Sequence, residues 1–308
     1  MSGGAVPKKA GARTPSWLRE VLRRPAGLTG AIIIAVLLLV AAISIFWTPQ
    51  NPFDVDPFHQ WEGPSLRHPF GTTGSGQDIF SYLFAGSRTT VAVAFLSSLV
   101  AAVVGIALGA LGSLTARWFR ESVAVLIDIL IAFPTLLIAI MLAAVFGSSL
   151  WTLVIAVGIG FGVNIARVSR GEIRRVARAD YVLAAQASGS GPWRILREHL
   201  LPNIAPVFIV QLSLSAAVAV LSEAGLSFLG YGVSSSTPSW GRMLSILQNY
   251  VTIYPATVVW PGLAITVTVL GFNLFGDALR EATDPRLRRS SGGATDAGAT
   301  GKRVRDGS

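Results

Sequence analysis

Six apolar stretches, at about 28–47, 89–113, 123–146, 151–168, 205–229 and 255–278, decide what this chain can become. A helix needs about 20 apolar residues to cross the hydrocarbon of a bilayer. Inside lipid every backbone N–H and C=O must be satisfied by the chain itself, which leaves only helices and closed barrels. None of the six stretches alternates apolar and polar residues over about ten positions, so a barrel is excluded. Composition agrees, with 52% hydrophobic and only 13% charged residues among 308, where a soluble domain carries about 25% charge. Mean hydropathy is +0.58. The fold class expected is an all-α integral membrane protein of six transmembrane helices.

Cysteine is absent, which removes disulfides and thiolate metal sites. The net charge of +9 would suit nucleic acid only on a soluble fold with one basic face. Here the arginines lie between apolar runs, so a membrane surface accounts for them and nucleic acid does not. With the N-terminus in the cytoplasm, 22 of the 25 Lys and Arg fall on the inner side; only Arg67, Arg88 and Arg242 fall outside. Positive charge favours the cytoplasmic side, so both termini are expected there. The first apolar run follows Arg19, Arg23 and Arg24 as a signal peptide would. Its core is too long, and Phe46-Trp47-Thr48-Pro49 offers no small-residue cleavage site.

The expected organisation is a single membrane domain over 17–288. Tails at 1–16 and 289–308 are polar and Gly/Ala/Ser-rich, and are read as disordered. An external segment at 48–88 is rich in Pro and Gly and carries Asp54, Asp56, Glu62 and Asp78. The loop near 230–254, with Pro238, Trp240 and Tyr250, reads as interfacial and partly ordered. A cytoplasmic segment at 170–204 separates the fourth and fifth helices. Within it, Asp180 is a plausible N-cap for a short helix through Leu183, Ala184, Ala185, Gln186, Ala187 and Ser188. Gly189 suits the left-handed position that closes such a helix. Pro192 suits the first turn of a second short helix, which runs past Trp193 and His199 and is expected to stop at Pro202. A run of Ala and Ser makes a helix thin enough to enter another protein's groove.

That segment resembles the "EAA" loop of ABC-importer permeases. Ala184, Ala185, Gly189, Leu201 and Pro202 stand at the family spacing, while Leu183 replaces the family's glutamate. Other stretches resemble the second (C-type) permease of the dipeptide/oligopeptide/nickel class. They are His68-Pro69-Phe70-Gly71-Thr72, Gly76-Gln77-Asp78, Asp128 with Phe133-Pro134, Glu223-Ala224-Gly225-Leu226-Ser227, Thr237-Pro238-Ser239-Trp240-Gly241, and Phe272-Asn273-Leu274-Phe275-Gly276-Asp277 with Asp284-Pro285-Arg286. Thr73 and Gln77 stand where the family usually has Asp and Arg. The resemblance implies a type I ABC importer permease of a bacterial inner membrane, most often for di- or oligopeptides. It implies that 183–189, Trp193, His199 and Pro202 form the docking element for an ATPase. It implies as partners a second permease in a heterodimer, one or two ABC ATPase subunits and an extracytoplasmic substrate-binding protein. ATP and Mg are expected in the ATPase partners and no cofactor on this chain. Nickel or another small solute is the alternative cargo.

Plainer readings compete for several residues. Glu223 is the deepest carboxylate and a candidate for the pathway; Asn273, and Asp128 and Asp277 near cytoplasmic helix ends, are candidates for a pathway or structural part. For Glu223, bonding to backbone or a partner helix is preferred over substrate contact. For Asp128 and Asp277, pairing with Arg117, Arg120 or Arg280 is preferred over proton relay. Arg167, Arg170, Arg174, Arg175 and Arg178 share much of one helical face, which is expected to meet anionic lipid headgroups ahead of an ATPase. His59, His68 and His199 are scattered, so no metal site is expected. Pro134, Gly158, Gly160 and Gly162 suggest kinks and close packing. The only lysines, Lys8, Lys9 and Lys302, lie in no phosphate-binding loop, so the chain is not itself an ATPase. No nucleophile–base cluster supports a membrane enzyme, and no repeats or acid–base relay support an ion-coupled secondary transporter.

Overall fold

A computed structural model describes residues 16–114 and 117–283. The expected tails, Asp284-Pro285-Arg286 and the three lysines lie outside the described residues. The described chain is almost entirely helical, with a lone bridge between Thr72 and Asp78 as its only β pairing. In order the helices are α1 (Ser16–Arg23), α2 (Pro25–Phe46), α3 (Ile79–Leu114), α4 (Arg117–Ala132), α5 (Thr135–Phe146), α6 (Leu150–Ala177), α7 (Asp180–Ala187), α8 (Pro192–Ile195), α9 (Leu201–Phe228), α10 (Trp240–Leu247) and α11 (Pro255–Thr283). Five helical runs are each long and apolar enough to cross a membrane, and α4 with α5 make a sixth span bent by 81°.

The expected spans all appear, with four corrections. The second begins ten residues early, because the Asp78 carboxylate accepts the Ser81 N–H at 2.7 Å and caps α3 at Ile79. Residues 79–88 are therefore helix and not part of an external loop. The third span is broken at Phe133-Pro134, since Pro134 offers no N–H and instead begins α5 with its carbonyl. The fourth runs on to Ala177, nine residues past the apolar stretch, carried by its buried Ile173 and Val176. Pro202 does not end a helix. The chain passes from α8 through a π-helical turn at Leu196–Leu200 straight into α9, where Pro202 sits in the first turn and its missing N–H costs no bond.

The pairing of α3 with α6 forms the centre of the bundle. A Cβ on Gly158 would stand 2.6 Å from the Val100 Cβ, one on Gly162 2.6 Å from the Val104 Cβ, and one on Gly105 2.6 Å from the Ile165 Cγ2. The two helices thus meet with valine and isoleucine seated against bare backbone, the arrangement that lets helices associate where lipid supplies no hydrophobic drive. Helices α2 and α11 close on each other at Gly30 and Gly271, where a Cβ on Gly271 would meet the Ile33 side chain. The short α1 buries Val21 in a cluster with Ala278, Leu279 and Ala282 of α11, and Arg24 pairs with Glu281 beside it.

At the opposite end from α7, residues 48–78 and 230–254 fold over the helices. Trp61 stacks on Tyr254 with ring centroids 4.2 Å apart, and Phe70 stacks on Trp260 at 3.9 Å. His68 pairs with Asp78 at 3.1 Å in a buried contact. His59 bonds Asp56 at 2.6 Å, and that bond, with the Phe58 amide, holds the Asp56 carboxyl below the ordinary carboxylate range. The 230–254 segment is ordered. It contains α10, with Trp240, Met243 and Leu247 buried among Tyr82, Leu83 and Ala224.

Close packing of α3 on α6 predicts the effect of a larger residue there. Gly162→Val is expected to cost about 1–3 kcal/mol through overpacking, read as a lower thermal midpoint of the purified protein. An unchanged midpoint would mean the helices separate freely.

Candidate functional site

The segment between α6 and α9 is built as a small, rigid projection. Helix α7 is eight residues long, and isolated helices of that length are not stable in water. Its support is Val182, fully buried in a cluster with Ile173 and Val176 of α6 and Ile195, Leu196 and Leu200 beyond it. The end is closed by backbone geometry. The Ser190 N–H donates to the Ala185 carbonyl at 3.1 Å and the Gly189 N–H to the Gln186 carbonyl at 2.9 Å. Gly189 takes φ +83°, where a side chain costs about 1–2 kcal/mol. The Ser188 hydroxyl donates back to the Ala184 carbonyl. Asp180, expected as the cap, is the first helical residue, and Ala179 precedes it with no side-chain cap bond.

The other faces of α7 are open. Tyr181, Leu183, Ala184, Gln186, Ala187, Ser188 and Gly189 are exposed and Ala185 half-buried. Trp193 stands 73% exposed beside them, an unusual position for a tryptophan. Leu183, where the resemblance leads one to expect glutamate, is exposed, so the surface there is apolar instead of acidic. His199 is half-buried, with its ring 6.2 Å from Tyr181, and its carbonyl accepts the Asn203 side-chain amide at 2.6 Å. The structure thus gathers all of 183–189, Trp193 and His199 at one end of the bundle, while Pro202 lies inside the start of α9.

The intramembrane polar residues do not form one cluster. Glu223 is buried on α9, and its Oε1 accepts the hydroxyls of Ser227 and Ser239, each at 2.7 Å. Ser239 in turn caps α10 by accepting the Arg242 N–H. Glu223 therefore ties α9 to the folded-over segment and faces no open space. Asp128 pairs with Arg167, 3.4 Å away on α6, and not with Arg120 or Arg280 as expected. Helix α4 packs alongside α6 through Val123, Ile127, Val163 and Ala166, a juxtaposition the sequence could not reveal. The Arg117 side chain is outside the described residues. Asn273 is half-buried and Asp277 exposed on α11; among the described residues Asp277 makes no ion pair. Among the described residues no three His, Asp or Glu side chains gather as a metal site would require. A residue that sequence reasoning left out is Val182, the anchor of α7; the available signal was a β-branched apolar residue in the first turn of a helix too short to stand alone.

Known proteins resemble the chain along most of its length. A family described as "binding-protein-dependent transport system inner membrane component" matches residues 101–289. The dipeptide transport system permease protein DppC of Alkalihalophilus pseudofirmus is 34% identical over 270 residues, spanning 88% of this chain and 89% of that one. The glutathione transport system permease protein GsiD of Pectobacterium atrosepticum is 34% identical over 281 residues, 90% of this chain and 93% of its own. Among solved structures, an inward-facing methionine ABC transporter MetNI superposes with a TM-score of 0.54 at 19% identity, covering 66% of this chain and 97% of that one. That likeness shows the fold, the helix arrangement of a type I importer permease.

Replacing Glu223 should separate its structural part from the rest. Glu223→Ala leaves two buried hydroxyls without an acceptor and should cost about 2–3 kcal/mol. Glu223→Gln keeps a carbonyl acceptor and should cost less. Thermal midpoints of the purified variants read the difference; equal losses would mean that the two serine bonds contribute nothing.

Proposed function

The chain belongs to the family of binding-protein-dependent transport system inner membrane components, and on that premise we propose that it is the permease subunit of an ATP-driven importer of short peptides. The observation that carries this reading is α7, a thin helix held out by one buried valine, closed at Gly189 and flanked by an exposed tryptophan. Exposed apolar residues on a polar projection mark a protein contact. Its occupant in this reading is a separate ATPase subunit that binds ATP and Mg. Movement of that subunit reaches the membrane helices because α7 shares its core with α6 and, through the π-helical turn, with α9.

The cargo assignment is supported by the relatives at 34% identity, whose names specify dipeptide and glutathione, itself a tripeptide. A second, related permease completes the path, since one bundle of this size exposes its α4–α6 side without enclosing anything. An extracytoplasmic binding protein delivers the cargo at the end folded over by 48–78 and 230–254. The end bearing α7 faces the cytoplasm with both termini, consistent with the distribution of Lys and Arg, and the membrane is the bacterial cytoplasmic one. Leu183 supplies the ATPase cleft with an apolar contact in place of an acidic one.

Adding bulk to α7 tests this directly. Ala185→Trp and Gly189→Trp are expected to leave insertion intact while ATPase recovery in co-purification and peptide uptake both fall at least about tenfold, the loss expected when a central contact is removed. Leu183→Glu should be mild. Full recovery of the ATPase and normal uptake by both Trp variants would make this segment a passive connector.

A further inference from the structure

Along α6, the positions 160, 164, 167, 171, 174 and 178 follow one another at alternating steps of four and three residues and so form a single stripe. They are Gly160, Asn164, Arg167, Gly171, Arg174 and Arg178, without one apolar side chain, and all but the half-buried Gly160 are exposed. The exposed residues nearer the start of the helix, Trp151, Ile155 and Ile159, lie on another side and are apolar. Helix α6 therefore presents hydrocarbon to one side and polar groups to another.

Depth gives the stripe its meaning. Arg167 lies 17 residues from the start of α6, about 26 Å, and 10 residues from its end, about 15 Å. Asp128 lies 11 residues into α4, again about 16 Å from the same end of the bundle. Asn164 is one turn deeper than Arg167. An arginine can extend toward headgroups from this depth, but Arg167 turns sideways to Asp128, and an aspartate cannot reach. Both side chains are more than half exposed, at 54% and 66%; Arg167 stands at the inner edge of its apolar run, and Asp128 lies five residues inside the run 123–146, where lipid does not accept charge. The helix break at Phe133-Pro134 adds an independent sign. Thr135, at the start of α5, sits where a Cβ on Gly160 would have to go, so the interrupted backbone lies at the head of the same stripe. Non-helical backbone at membrane depth is tolerated where it is buried in protein or lines a water-filled cavity, and Phe133 at this break is exposed, not buried.

We infer that this stripe of α6, with Asp128, lines the aqueous route through the assembly and receives the C-terminal carboxylate of the peptide cargo. The ligand class rests on the proposed peptide function; the aqueous route does not. Arg167 holds Asp128 by a single contact at 3.4 Å, a loose pair with guanidinium donors to spare. With Arg174 and Arg178 beyond, the stripe grows more positive toward the α7 end, so a carboxylate displacing Asp128 moves down a favourable field. Arg167 thus does something other than meet lipid headgroups, which remain the expected contact for Arg175.

The test uses the full reconstituted transporter, and the absence of cysteine in this chain simplifies it. A single cysteine at Asn164, inside the apolar run, should react with a charged, membrane-impermeant thiol reagent in open membranes, and Ile155→Cys on the opposite side should not. Labelling at Ile155, or none at Asn164, overturns the aqueous route. For the ligand, Arg167→Gln should lower uptake of a dipeptide with a free carboxylate about tenfold more than uptake of its C-terminal amide. Arg167→Lys should restore most of that difference. Equal losses for the two peptides overturn the carboxylate site. Failure of the unaltered transporter to take up either peptide would sink the peptide reading of the cargo, while labelling would still decide the route.

Discussion

Contact between α3 and α6 is the interaction on which the remaining structure depends. In hydrocarbon, two apolar helices gain nothing from excluding water, so they associate through close van der Waals packing. Gly105, Gly158 and Gly162 supply that closeness by letting Val100, Val104 and Ile165 rest on backbone. Once α6 is fixed on α3, its far end carries Ile173 and Val176, which seat Val182 and so hold α7 in place. The same helix turns its polar stripe away from α3. Scaffold, projection and route are thus three faces of one helix.

Force can pass between the projection and the bundle because no flexible joint separates them. Val182 lies in the core that also contains Leu196, Leu200 and Ile204, so displacing α7 strains the π-helical turn at the base of α9. Such turns carry one residue more than an α-helix needs and recur at functional sites. At the other end of α9, Glu223 binds Ser239 and anchors α10. Contacts thus run unbroken from α7 along α9 to the segment folded over the opposite end.

Much of the fold was legible because hydrocarbon imposes a simple rule of length and polarity. The six spans, the short helix after Asp180 and the left-handed Gly189 all follow from local chemistry. What remained illegible depends on residues distant in sequence. The continuation of α6 needed Ile173 to find a core that includes α9, whereas the early start of α3 was local, set by Asp78 at the adjacent position. The pairing of Asp128 with Arg167, 39 residues apart, follows from the packing of α4 on α6. The short α1 and buried α10 fell below the length that a membrane reading seeks. The segment 183–189 stood out through its resemblance to a family motif, yet its anchor, Val182, belongs to no pattern of small residues.

The central claim is that this chain conveys energy from a separate ATPase to a peptide crossing the membrane. Its most direct test is ATP hydrolysis by the complete transporter in proteoliposomes, measured as peptide-loaded binding protein is added to the outer side. The account predicts a rise in hydrolysis with loaded binding protein, uptake that follows it, and no uptake from an ion gradient alone. Uptake driven by the gradient without ATP, or hydrolysis indifferent to the loaded binding protein, would contradict it.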